Sequence, residues 1–181
     1  MCCQRCIEAV QEELVSLGLK VEEIKLGEAT FVEKKSLKIN VLSEALHDRG
    51  FELILSEDIR LVEAVKTTLI ELIHQSKKYQ DDKIHLTEFI EEKLKKPYRA
   101  IHKLFLEHTH LTIEKYTILQ RIEKVKTLIE EENNLNFSEI AHLAGYKTQQ
   151  HLSGQFKKIT GMSMLEYKNS ENKNRTPIDK V

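Results

Sequence analysis

Apolar positions along the chain change period several times. Over residues 7–17, Ile7, Val10, Leu14 and Leu17 recur at helical spacing, and Gly18 can supply a left-handed stop. Leu19 to Leu26 then reads as a strand, Gly27 and Glu28 as a turn, and Ala29 to Val32 as the returning strand of a hairpin. Ser36 to Arg49 predicts a second helix with Leu37, Val41, Ala45 and Leu46 inward, closed by Gly50. Phe51 to Leu55 predicts a last strand, so residues 1–55 carry the order α-β-β-α-β.

Ser56, Glu57 and Asp58 form a short polar joint, followed by a helix from Ile59 to Gln75, so residues 56–76 are read as joint and linker helix. Helical patterning continues to about residue 168. Residues 169–181 lack apolar periodicity and are expected to be a loose tail.

Shifted by 51 residues, the C-terminal part falls on itself. Thr87 and Glu88 meet Ser138 and Glu139, Phe89 and Ile90 meet Ile140 and Ala141, and Ile101 meets Leu152. Phe105 meets Phe156, Thr109 meets Thr160, Leu111 and Thr112 meet Met162 and Ser163, and Tyr116 meets Tyr167. Thr87 and Ser138 are expected to cap the first helix of each copy, each followed by a glutamate suited to the positive helix end. A turn follows, Leu94 to Pro97 in one copy and Ala144 to Lys147 in the other, then a second helix. Two short helices around a tight turn make a helix-turn-helix, whose second helix can lie in the major groove. The plainer alternative is a repeated helical hairpin that only packs on itself. Between the copies, Ile113 to Glu132 predicts one helix with Tyr116, Leu119, Ile122, Val125 and Ile129 at core spacing. Its length of about 30 Å is close to one turn of DNA, so a single chain with two reading heads would bind an asymmetric site.

Composition alters this picture in two ways. Only 6 Gly and 2 Pro in 181 residues, with 31% charged, favour long helices. Residues 1–76 hold 9 Lys+Arg and 14 Asp+Glu, which leaves 19 and 15 for the rest, so the front half is acidic and the back half basic, as a polyanion-binding region would be. No apolar run reaches the roughly 18 residues of a membrane span, and no signal-peptide core is present; a cytoplasmic, bacterial-type protein is expected. No serine in a nucleophile turn and no phosphate loop is found, and carboxylates fall mostly on solvated helix faces, so no enzymatic activity is expected.

The run from Phe137 to Gly161 (FSEIAHLAGYKTQQHLSGQFKKITG) resembles the C-terminal signature of the AraC/XylS family of transcriptional regulators. The run from Arg121 to Ile129 (RIEKVKTLI) is similar to that family's linker helix. The resemblance covers about residues 80–168 and implies that residues 77–168 form an all-α domain of two helix-turn-helix subdomains joined by a long helix. It implies sequence-specific control of transcription, with double-stranded DNA read in the major groove and RNA polymerase as a further partner. Two positions depart from the family pattern. Met164 stands where proline is usual, and Gly154 stands where the second recognition helix usually has arginine. Gly154 offers no side chain to a base, which implies closer backbone approach or weaker specificity.

On the first recognition helix Tyr98, Arg99, His102 and Lys103 are expected outside, with Ile101, Leu104 and Phe105 inside. On the second, Thr148, Gln149, Gln150 and Ser153 are expected outside, with Leu152 and Phe156 inside. Gln pairs bidentately with adenine and Arg or Lys with guanine, which makes Arg99, Lys103, Gln149 and Gln150 the base-reading candidates. Lys157 and Lys158 suit phosphate anchoring. Each of these side chains has an ordinary solvated reading as its alternative.

All three cysteines, Cys2, Cys3 and Cys6, lie at one end, where they cannot staple distant segments; metal or redox chemistry is the expectation. Met1 to Cys6 contains Met-x-Cys-x-x-Cys directly before an amphipathic helix, and two soft thiolates so spaced can grip one soft ion. A thioredoxin-type site would need a βαβ context that is missing. Followed by α-β-β-α-β, the motif resembles the heavy-metal-associated domain, whose loop binds Cu(I) and similar ions. The resemblance implies Cys3 and Cys6 as ligands and leaves Cys2 as an extra thiol. Residues 1–55 are thus read as an α+β ferredoxin-like unit lacking its first strand. That strand is central, and it is expected to precede Met1; without it the unit would be less stable and completed by a partner chain. Alternatively the unit binds no metal and serves packing or homodimerisation. In the rival functional reading, the chain buffers or delivers Cu(I) and its helical part makes protein contacts. His108 and His110, two residues apart at a helix end, are read as surface residues.

Overall fold

The computed structural model describes residues 3–32, 38–54, 56–75, 85–132, 134–170 and 175–178. The chain divides into two compact units, Met1–Thr67 and Thr68–Val181.

In the first unit α1 (Gln4–Ser16) is followed by an antiparallel hairpin of β1 (Lys20–Lys25) and β2 (Glu28–Val32), with Lys20 opposite Val32 and Lys25 opposite Glu28. α2 (Ile39–Asp48) comes next, and α3 (Glu57–Ile70) carries the boundary between the units. The core is Val10, Leu14, Leu19, Leu42 and Leu46, with Val21, Ile24, Ala29 and Phe31 of the sheet packed against it. Two turns are set by backbone geometry that only glycine adopts without strain. Gly50 (φ +80°) ends α2 so that the Phe51 amide donates to the Leu46 carbonyl. Gly27 (φ +81°) turns the hairpin where an added Cβ would lie 3.1 Å from Thr67 Oγ1.

Two expectations for this unit need correction. Residues 51–54 form no ladder, and among the described residues the sheet has two strands only; Leu55 lies outside the described residues. Phe51 and Leu53 still pack against the core, so the alternation is genuine, but a strand needs a neighbour and none among the described residues pairs with this one. The inward face of α2 is Leu42 and Leu46, while Val41 is exposed; Ser36 and Leu37 lie outside the described residues. The helix starts at Ile39; Leu46 is inward as expected and Ala45 is half-buried, while Leu42 rather than Val41 fills the preceding turn.

The second unit opens on the last turn of α3 and a π-helical turn, Glu71–Gln75, which buries Leu72 and Ile73. It continues with α4 (Leu86–Leu94), α5 (Tyr98–Thr109), α6 (Ile113–Glu131), α7 (Phe137–Leu143), α8 (Gln149–Thr160) and α9 (Met164–Asn169). The 51-residue shift carries both ends of α5 onto those of α8, and the start of α6 onto the start of α9.

The repeat extends to individual bonds. Thr109 Oγ1 donates to the Phe105 carbonyl at 2.7 Å and accepts from the Leu111 amide at 3.2 Å. Thr160 does the same with Phe156 at 2.8 Å and Met162 at 3.3 Å. Phe105 meets Tyr116 edge to face at 5.6 Å, and Phe156 meets Tyr167 likewise at 5.6 Å. His110 (φ +57°) closes α5 and Gly161 (φ +80°) closes α8 in the left-handed conformation. Thr112 and Ser163 then cap α6 and α9 by accepting from the Lys115 and Glu166 amides.

α6 is the spine of this unit. Ile122, Val125 and Ile129 enter one cluster with Ile140, Ala141, Ala144, Tyr146, Leu152, Phe156, Met164 and Tyr167. A second face is buried and polar. Gln120 Nε2 donates to Tyr116 Oη at 2.9 Å and to the Ile178 carbonyl at 2.8 Å, while its Oε1 meets His74 Nε2 at 3.0 Å. Lys126 and Glu123 pair at 2.7 Å, and Lys124 Nζ donates to the Ile73 carbonyl at 2.6 Å. The C-terminal segment is not wholly loose, contrary to expectation. Arg175 donates to Thr127 Oγ1 at 2.7 Å and reaches Glu130 at 3.4 Å, and the Thr176 amide donates to Glu123 at 3.0 Å. Residues 175–178 are therefore held along α6 by polar bonds, which apolar periodicity does not reveal.

Among the described residues no helix is long and apolar enough to cross a membrane.

Candidate nucleic-acid interface

The first head consists of α4 and α5. Lys95 (φ +53°) ends α4 in the left-handed conformation, and Pro97 begins α5 with its φ preset near −60°. Pro97 has no side-chain acceptor, and the Glu91 carboxylate takes that role by accepting from the Tyr98 amide. Ile101 and Phe105 are buried and Leu104 is half-buried, which turns Arg99 and Lys103 to solvent. Arg99 is exposed; Lys103 is 77% exposed, with only a loose contact to Glu107 at 3.8 Å. His102 is half-buried, 3.6 Å from Glu114 and against the Tyr98 ring at 5.8 Å.

Tyr98 is tied down as well, since its hydroxyl donates to Glu114. Burial first, and then that bond, push the Tyr98 hydroxyl far above its ordinary range. Burial pushes the Glu114 carboxyl up, but bonds from Tyr98, its own amide and Thr112 outweigh this and hold it below its ordinary value. Tyr98 thus braces the helix, and Arg99 and Lys103 are the side chains left outward.

The second head consists of α7 and α8. Asn136 caps α7: its side chain accepts from the Ser138 and Glu139 amides, both at 3.0 Å, while Glu139 accepts from the Asn136 amide at 2.8 Å. The expected caps, Thr87 and Ser138, are corrected by this geometry. α4 begins at Leu86 after His85 and α7 at Phe137 after Asn136, so both hydroxyl residues already lie inside the first turn. Gly145 (φ +76°) makes the turn, and Thr148 caps α8 by accepting from the His151 amide at 3.2 Å. Buried Leu152 and Phe156 turn Gln149, Gln150, Lys157 and Lys158 to solvent, with Ser153 half-buried. Arg121 of α6 lies over the Tyr146 ring at 5.5 Å and braces the turn from behind.

The 51-residue shift also pairs the outward positions. Arg99 corresponds to Gln150, Lys103 to Gly154, His102 to Ser153 and Glu107 to Lys158. One exposed residue of α8 escaped the sequence reading. His151 stands in the first turn, edge-on to Tyr146 at 5.5 Å. The spacing from Leu152 could have found it, because a residue beside a buried position in the first turn of a solvent-facing helix stays outside.

At the other end of the chain, Cys3 and Cys6 bring their sulfurs to 3.6 Å at the start of α1, and Cys2 lies outside the described residues. Two adjacent soft donors fit a thiophilic ion such as Cu(I). Among the described residues no group of three or more His, Cys, Asp or Glu is placed to hold a metal, so the pair would act as two ligands.

Residues 91–170 match the family model of a helix-turn-helix domain. The match runs from within α4 to the end of α9 and so includes α5, α6, α7 and α8. It supports DNA binding by residues 91–170. No curated protein and no solved structure matches the chain.

Proposed function

We propose that this chain is a sequence-specific transcriptional regulator of the AraC type, acting in the cytoplasm with α5 and α8 as its two recognition helices. The observation that carries the reading is the helix-turn-helix match over residues 91–170, together with the repeat of the same threonine and ring contacts at the ends of α5 and α8. α6 has 19 residues and so spans about 28 Å, close to the spacing of successive major grooves on one face of DNA. Arg99, Lys103, Gln149 and Gln150 read bases; His102, Thr148 and Ser153 support them; Lys157 and Lys158 hold phosphates. RNA polymerase is the expected further partner once the site is occupied.

The test is electrophoretic, on the full chain, with a selected duplex against random competitor. Gln149→Ala should narrow the gap between cognate and random DNA. Lys158→Ala should weaken both alike and lower the salt slope by about 0.9. Equal effects of the two changes on cognate and random DNA would sink these roles.

The adjacent sulfurs of Cys3 and Cys6 favour a second element, metal responsiveness through a heavy-metal-associated-like first unit. Cu(I) titration of the full chain should be stoichiometric and lost in Cys3→Ser. The rival reading, a Cu(I) buffer or carrier, predicts the same titration with no DNA affinity.

A further inference from the structure

We infer that the two heads divide the base code, α5 reading a G·C block and α8 an A·T block, with Gly154 as the specificity-determining position of α8. This deepens the DNA-reading role proposed above and rests on it.

The argument starts from the outward stripe of each helix at a spacing of four. On α5 the stripe is Arg99 and Lys103, both exposed, and both of the chemistry that donates to guanine O6 and N7. At the corresponding positions α8 has Gln150 and Gly154, both exposed. Gln150 carries a donor and an acceptor in the arrangement that pairs with adenine N6 and N7, and the next cation of α8 on this stripe is Lys158, two turns further on.

Among the described residues nothing around Gly154 requires a glycine. Its φ is not positive, and a Cβ built on it meets no atom within 4 Å beyond its chain neighbours and its own helix backbone. Glycine within a helix costs about 1 kcal/mol relative to alanine. The bare backbone leaves open space at this position for a contact from outside the chain. On the face that enters the groove, it lets α8 approach the base edges closely, with room for a thymine methyl beside the adenine that Gln150 reads. The cations of α8 come only at its end, where Lys157 and Lys158 suit phosphates.

The full-length protein is used to enrich duplexes from a randomised pool, and the parent and three variants are then measured on the selected sequence. The parent should enrich two blocks, one rich in G·C and one in A·T. Arg99→Ala should abolish base preference in the G·C block alone. Gly154→Ala should raise the thermal midpoint yet weaken binding about 10-fold or more, through the A·T block only. The double change Gln150→Arg with Gly154→Lys copies the α5 stripe and should convert the A·T block into a second G·C block. The inference is overturned if both parental blocks have the same composition, if Gly154→Ala binds as tightly as the parent, or if the double change retains the A·T block. Failure to enrich any sequence would overturn the DNA-reading role itself and is distinguishable from all three.

Discussion

The two heads share an interior and differ in their outer faces. In each, a threonine bonds back to a buried phenylalanine carbonyl, a tyrosine lies edge-on to that phenylalanine, and a left-handed residue closes the helix. Outside, α5 presents Arg99 and Lys103 near its start, whereas α8 presents Gln149, Gln150 and Gly154 there and keeps Lys157 and Lys158 for its end. The difference separates two jobs that a repeat can confuse. Packing positions hold the helix where it can be used, and solvent positions decide what it meets.

The strongest challenge to the shared interior is truncation of the two rings. Phe105→Ala and Phe156→Ala should each lower stability by about 3–5 kcal/mol in denaturant unfolding, because both side chains are fully buried. A large loss in one head and a loss below about 1 kcal/mol in the other would break the equivalence.

Removing the threonine hydroxyls should have a smaller effect. Thr109→Val and Thr160→Val each leave one amide and one carbonyl without this partner, with an expected loss of about 1–3 kcal/mol apiece. At the helix starts the heads should separate. Asn136→Ala should lower the unfolding free energy by about 1 kcal/mol, whereas His85→Ala should change it little, since His85 makes no side-chain cap bond.

The smallest effect is one of pH and enters through α6, at the tyrosine that packs on Phe105. Tyr116 accepts from Gln120, which bonds to His74, while its counterpart Tyr167 donates to Glu130. Burial, against a smaller upward pull from Gln120, lowers His74 from its ordinary value of 6.5, so the folded chain takes up that proton less readily than the unfolded one. The unfolded chain then binds the extra proton, and stability present at neutral pH is lost as pH falls below about 6.5. At pH 6 the loss should be under about 1 kcal/mol and absent in His74→Gln, as pH-dependent thermal melts would register.

The repeat was legible because its signals are local. Ile101, Phe105, Leu152 and Phe156 recur at helical spacing, and the 51-residue shift fixes the matching ends of α5 and α8. Where a feature depends on a distant partner, the residues mislead. Phe51 and Leu53 alternate like a strand, yet a ladder is a property of two segments. Arg175 and Thr176 look like solvated tail until Thr127, Glu123 and Glu130 are seen beside them. The cap at Asn136 is masked in the sequence because Ser138 and Glu139 imitate a helix start two residues late. Of the outward side chains, Arg99, Lys103, Gln149 and Gln150 were found from the gaps between buried positions, while Tyr98 and His102 proved to be engaged with Glu114.

Hydroxyl-radical footprinting of the full-length protein on its selected duplex tests the two-headed account most directly. The account predicts two protected patches on one face of the DNA, about 34–36 Å apart, with Arg99→Ala weakening one and Gly154→Ala the other. A single patch, or two patches that respond alike to both substitutions, would contradict it.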